Sequence, residues 1–149
     1  MKRNSRGFTL VEILIVVIIL GILAAIVIPQ FTNASTDAKN SSVASTIQTI
    51  RSQVELFKIQ HNDTPPQTTA MGAWQILLNR SDTTETSVVA PSGTTYGPYL
   101  QQAPMNPLNG HTGTSTSASD TATGWYYSAD LTSYTVYPRN ATGASVTTY

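Results

Sequence analysis

The chain contains no cysteine, so neither a disulfide framework nor a thiolate metal site is available to it. Charge is scarce as well: 11% of residues are charged, and eight acids balance eight bases for a formal net charge of zero. A protein that grips nucleic acid through its phosphates normally carries a basic patch, so direct nucleic-acid binding is not expected. Only two histidines are present, His61 and His111, far apart and without a metal-ligand spacing to each other. Both stand in loop-like contexts and read as isolated surface residues. There is no Gly-rich phosphate loop followed by a lysine, and no catalytic constellation is recognisable. The expectation is therefore a protein that is not an enzyme and needs no cofactor. Asn33-Ala34-Ser35 and Asn140-Ala141-Thr142 match a glycosylation acceptor, but such strings arise by chance in a chain this rich in Ser and Thr.

The little charge there is falls unevenly. Residues 8–31 read FTLVEILIVVIILGILAAIVIPQF and contain one charged side chain, Glu12. A short basic leader, MKRNSRG, precedes the run with Lys2, Arg3 and Arg6, and polar sequence follows it at once. As a helix, 24 residues extend roughly 36 Å, enough to cross a hydrocarbon layer of about 30 Å. Basic flanks stay cytoplasmic, which would put the polar bulk of the chain on the outer side of the membrane. A secretory signal peptide and a plain N-terminal anchor are two competing readings. The run is longer than the 7–15 residues or so of a usual signal-peptide core, and neither reading calls for an acid near its start.

Glu12 therefore separates these readings. A carboxylate inside hydrocarbon costs about 2.5–3.5 kcal/mol on insertion scales and usually marks a function. A cut after Gly7 would create a free amine on Phe8, one helical turn from Glu12. In a bundle of such helices, the amine of one subunit could meet Glu12 of its neighbour and set their axial register. Pro29 should kink or loosen the helix near Ala25, because proline lacks an N–H and its ring crowds the carbonyl four residues earlier. Gly21 is a second soft point.

The string Arg6-Gly7-Phe8-Thr9-Leu10-Val11-Glu12 resembles the prepilin cleavage and methylation signature of type IV pilins and type II secretion pseudopilins. The likeness continues through Gly21-Ile22-Leu23-Ala24-Ala25-Ile26-Val27-Ile28-Pro29-Gln30-Phe31 and covers about the first third of the chain. The resemblance implies leader cleavage between Gly7 and Phe8 by a prepilin peptidase, N-methylation of Phe8, and use of Glu12 in assembly. It also implies that Gly21 and Pro29 let the helix stretch in a filament, and that the partners are membrane lipid before assembly, other subunits of the same kind, and an inner-membrane assembly platform. The division expected is a leader over 1–7, a transmembrane and filament-core helix over 8–31, and an amphipathic helix with a C-terminal domain over 32–149.

Beyond Ser35 the pattern becomes amphipathic. Val43, Ile47, Ile50, Val54 and Phe57 recur at spacings of four, three, four and three, which is one apolar face of a helix. Arg51 and Glu55 are spaced for an i,i+4 ion pair. Continuous from Phe8 to Gln60, such a helix would extend roughly 80 Å, and the apolar stripe is too short for a coiled coil. Asn62-Asp63-Thr64-Pro65-Pro66 should end it. Met71 to Asn79 reads as a short second helix, 81–96 as a polar loop, and the Gly-, Ser- and Thr-rich 111–123 as a mobile exposed loop. GWYYS and SYTVYP read as two strands joined by a hairpin loop over Ala129–Thr132, with Trp125 and Tyr127 facing one way and Tyr126 the other. Pro138 suits the end of an edge strand, and the aromatics at 125, 127 and 134 are expected in the core. The fold expected is α+β and pilin-like: a long N-terminal helix packed on a small antiparallel sheet.

Gly97-Pro98-Tyr99-Leu100 with Pro104-Met105-Asn106-Pro107 resembles a segment of the major pseudopilin of type II secretion, with Asn106 where that family usually has aspartate. The family's acidic calcium-binding loop is not recognisable: after Glu85 the only acids are Asp120 and Asp130. The leading expectation is a structural subunit of a type IV filament-family polymer acting in protein export. It would be a single-pass protein of the bacterial inner membrane that passes into a periplasmic or extracellular filament. A type IV pilus subunit for adhesion, motility or DNA uptake is the alternative within that class. A binding domain outside the cytoplasm on a single N-terminal anchor is the alternative outside it.

Overall fold

The computed structural model describes residues 7–67, 73–82, 95–117 and 119–147. Helix α1 runs from Leu10 to Gln60. The chain forms two compact units, the first ending at Ala38 and the second beginning at Lys39, and α1 contributes to both.

In the second unit, the buried residues of α1 are Val43, Ile47, Ile50, Val54 and Phe57, the face that the spacing predicts. Ion pairing on this helix differs from expectation. Glu55 lies 3.7 Å from Lys58 instead of pairing with Arg51, and Lys58 also reaches Asp63 at 3.3 Å, across the helix end. The helix ends as the Asn-Asp-Thr-Pro-Pro break requires. Asn62 and Asp63 adopt left-handed conformations (φ 52° and 61°), which short polar side chains tolerate better than most. The Asp63 amide then turns back to the Lys58 carbonyl at 2.9 Å, closing the last turn.

Helix α2, Ala73–Leu78, buries Ala73, Trp74, Ile76 and Leu77. It is shorter than the Met71–Asn79 expected, and Met71 lies outside the described residues. Two small sheets follow. Strands β1, Ser81–Asp82, and β2, Thr95–Tyr96, pair antiparallel. This corrects the reading of 81–96 as a loop, of which 83–94 lie outside the described residues. The second sheet has the order β3-β4-β5, with β3 at Thr114–Ser115, β4 at Trp125–Ala129 and β5 at Tyr134–Pro138. β4 and β5 form the expected antiparallel hairpin, with Ala129 opposite Tyr134 and Trp125 opposite Pro138, and β5 is an edge. β3 pairs parallel to β4, so the sheet is mixed.

β3 also corrects the reading of 111–123 as an exposed mobile loop. Thr114 and Ser115 are half-buried, and the Gly113 carbonyl accepts the amides of both Gly124 and Trp125 at 3.0 Å. Composition misleads here because a backbone ladder needs no apolar side chains.

The core gathers the buried face of α1, α2, Tyr99, Trp125, Tyr127 and Val136, with Tyr134 packed against it. The core assignment of residues 125, 127 and 134 therefore holds. Each large aromatic also satisfies its polar end, as buried Trp and Tyr generally do. The Trp74 indole donates to the Thr112 carbonyl (2.6 Å), the Trp125 indole to Pro104 (2.8 Å), and the Tyr127 hydroxyl to Pro66 (2.9 Å). Asp130 orders the hairpin loop by accepting the amides of Thr132 and Ser133 at 2.8 and 2.7 Å. Those bonds, Thr132 first, hold its carboxyl down at about 2.

Candidate assembly helix

The first unit presents an apolar helix with nothing packed on it. Among the described residues, every side chain from Gly7 to Lys39 is exposed, including Phe8, Ile13, Leu20, Ile28 and Phe31. This part of α1 is long and apolar enough to cross a membrane. A contiguous apolar surface of this extent is not left in water by soluble proteins. It requires either lipid or other helices as its surroundings.

Gly7 and Phe8 stand just ahead of Thr9, the residue before α1, and Glu12 lies in the first turn of the helix. The carboxylate is held by Thr9. Its Oε2 accepts both the Thr9 amide and the Thr9 hydroxyl at 2.8 Å, while the Glu12 amide donates to Thr9 Oγ1 at 3.3 Å. This is a reciprocal capping box, which satisfies helix-end amides that otherwise lack partners. The acid also suits the positive end of the helix dipole. Glu12 is thus brought to the backbone amide directly after Phe8, at the helix end where cleavage would expose an amine. Thr9 was not singled out in the sequence, although its signal was present: a Thr three residues ahead of a Glu, before an apolar run, is the capping-box pattern.

Gly21 and Pro29 both lie inside α1, which runs through them as helix. A side chain built at Gly21 would meet nothing within 4 Å, so local packing within the chain does not account for glycine there. Pro29 cannot donate to the Ala25 carbonyl. In the next turns the Thr32 and Thr36 hydroxyls donate to the carbonyls of Ile28 (3.2 Å) and Thr32 (3.0 Å).

The buried polar groups of the second unit act as structural supports. His61 is not a surface residue, which corrects the sequence reading: it is 1% exposed and its ring stacks on Phe57 at 3.7 Å. Nδ1 lies 2.8 Å from the Phe57 carbonyl, which can only accept, so Nδ1 carries the proton. Nε2 then accepts from the Ser81 hydroxyl at 2.9 Å. Burial lowers the pKa of this imidazole, against opposing contributions from the Phe57 carbonyl and from Asp82. His111 is exposed, as expected. Asn106 is fully buried. Its amide nitrogen donates to the carbonyls of Gly124 (2.6 Å) and Arg139 (2.7 Å), and its oxygen accepts the Leu108 amide (2.9 Å). Among the described residues no group of three His, Cys, Asp or Glu side chains could hold a metal ion.

Residues 2–28 match the prokaryotic N-terminal methylation motif. The chain is 32% identical over 109 residues to the type II secretion system core protein G of Klebsiella michiganensis, covering 73% of this chain and 72% of that protein. The chain belongs to the pilin and pseudopilin family. A second pseudopilin relative, the core protein G of Dickeya chrysanthemi, is 31% identical over 107 residues, 72% of this chain and 65% of the relative. The likeness to a pilin, the type IV narrow pilus major component PilA5 of Thermus thermophilus, is 36% over 62 residues, 42% of this chain and 53% of that protein. No solved structure matches.

Proposed function

We propose that this pilin-family protein is a pseudopilin of the type II secretion kind, a structural subunit that leaves the inner membrane to polymerise into a filament serving protein export. The observation that carries the reading is Glu12, the one charge within the uncovered apolar residues 8–31, at the end where a new amine would appear. A prepilin peptidase cuts between Gly7 and Phe8, Phe8 is N-methylated, and the helix first lies in lipid. Removing Lys2, Arg3 and Arg6 leaves 8 − 3 = 5 basic side chains against 8 acids, a formal side-chain charge of 5 − 8 = −3.

During assembly the incoming subunit places Glu12 against the Phe8 amine of a subunit already in the polymer. Two unit charges about 4 Å apart attract by roughly 4 kcal/mol at an effective dielectric near 20. That matches the cost of a carboxylate in lipid, about 2.5–3.5 kcal/mol, so pairing favours the polymer. The assembly platform of the inner membrane feeds this step. Small Gly21 allows close helix approach, and Pro29 marks where the helix can open as the polymer lengthens. The second unit, from Lys39 onward, stands outside the cytoplasm.

The pseudopilin reading is preferred to a pilus subunit because likeness to core protein G runs over 109 residues and that to PilA5 over 62. Mass spectrometry of polymerised protein tests the proposal: Phe8, N-methylated, is the expected first residue. Polymer beginning at Met1, or at a cut near Ala25, would overturn it.

A further inference from the structure

The family resemblance raises calcium, and the residues present do not fit it. Calcium takes six to eight oxygen ligands at about 2.3–2.6 Å, with carboxylates prominent among them. After Glu85 the only acids are Asp120 and Asp130, and Asp130 is committed to Thr132 and Ser133 in the hairpin loop. The carbonyl oxygens that converge in this part of the fold already face a cation, the side chain of Arg139.

Arg139 follows β5 directly and is fully buried. One guanidinium nitrogen, Nη1, donates to the Gly143 carbonyl at 2.7 Å. The other, Nη2, donates to the Ser117 carbonyl and lies 3.5 Å from that of Ser115. The Tyr126 ring lies below, 5.9 Å from the guanidinium carbon, within cation–π range. Asp120 is close enough for the Arg139 charge to help lower its carboxyl, after larger effects of the Ala122 amide and the Ser115 hydroxyl. One side chain thus ties together β3, the turn after it, the turn at Gly143 and the face of β4. The carbonyl acceptors at Nη1 and Nη2 and the Tyr126 ring offset the cost of burying this charge. Arginine suits the task because its five N–H groups form a rigid fork that stays protonated. A divalent ion in the same carbonyl cluster would meet a buried positive charge.

We propose that Arg139 is the resident cation of the loop cluster formed by 113–117, 119–123 and 139–146, and that its guanidinium makes the folding of this region independent of calcium. The test uses the full chain in detergent micelles, read by thermal unfolding and by proteolysis within 113–123. For the wild type, neither a chelator nor millimolar calcium should move the midpoint or the cleavage rate. Arg139→Gln should make cleavage within 113–123 roughly ten- to a hundredfold faster, from the loss of charge-assisted hydrogen bonds, and added calcium should not reverse it. Arg139→Lys, with charge but no fork, should fall between. A chelator that lowers the wild-type midpoint, or calcium that raises it, would overturn the proposal, and this arm decides even if Arg139→Gln fails to fold. Unchanged cleavage in Arg139→Gln, or its protection by calcium, would overturn it equally.

Discussion

Replacing Asn106 removes a buried crossbrace whose cost can be worked out bond by bond. The amide joins the Gly124 and Arg139 carbonyls to the Leu108 amide through three hydrogen bonds of 2.6–2.9 Å. Of the three partners, the Gly124 carbonyl is the least exposed to loss, because it also accepts the Arg139 amide at 3.0 Å. Asn106→Ala would therefore act mainly through the hydrogen bonds it removes from the Arg139 carbonyl and the Leu108 amide. At about 1–3 kcal/mol for each buried group left a bond short, the expected loss is roughly 2–6 kcal/mol. That is a large share of a typical total of about 5–15 kcal/mol. Asn106→Asp removes the donors and turns a carboxylate oxygen towards two carbonyl oxygens. It should destabilise at neutral pH and regain stability in acid, where the protonated form can donate to one carbonyl again. The assay is denaturant unfolding of the full chain in detergent, followed by tryptophan fluorescence, since the Trp125 indole bonds to Pro104, two residues before Asn106. A loss below about 0.5 kcal/mol for Asn106→Ala, within the range of ordinary surface changes, would refute the reasoning.

Ile50 is 1% exposed on the buried face of α1, so Ile50→Ala should cost about 2–5 kcal/mol in the same assay; a near-zero cost would mean that face is not packed. The pKa of His61 is lowered in the fold by burial, so folding favours its neutral form. Its contribution is fully present above the unfolded value near 6.5 and is lost as pH falls below it. Stability measured from pH 7.5 to 5 should decline, and His61→Gln should flatten that decline. Gly7 replaced by a bulky residue should leave an uncut, membrane-bound precursor, detected as an unchanged mass after expression with a prepilin peptidase.

Much of this fold was legible because apolar periodicity is written in side chains. The stripe from Val43 to Phe57 and the alternation of Trp125, Tyr126 and Tyr127 carry the core directly. The pieces that were missed are held by backbone pairing or by contacts distant in sequence. β1, β2 and β3 are two residues long and built of Ser, Asp, Thr and Tyr, so their ladders leave no apolar pattern. His61 reads as a loop residue until Ser81, twenty positions away, closes over it. Arg139 carries no signal in the sequence, because its partners, the carbonyls of Ser117 and Gly143, are brought to it only by the fold. In the first unit, Glu12 stands out as the one charge within residues 8–31, whereas Gly7 and Phe8 are singled out by the resemblance to the prepilin signature. Thr9 escaped notice because a capping side chain and an ordinary threonine look the same until the carboxylate is placed beside it.

The central claim is that the Glu12 carboxylate drives assembly rather than insertion. It is tested most directly by expressing Glu12→Val beside the wild type with a prepilin peptidase and an assembly platform, and scoring sheared filaments by microscopy. Membrane insertion and leader removal should remain normal, because neither needs the charge, while filaments should fall sharply, with Glu12→Gln intermediate at best. Normal filaments from Glu12→Val would contradict the claim and leave a simple membrane anchor as the better description of the helix.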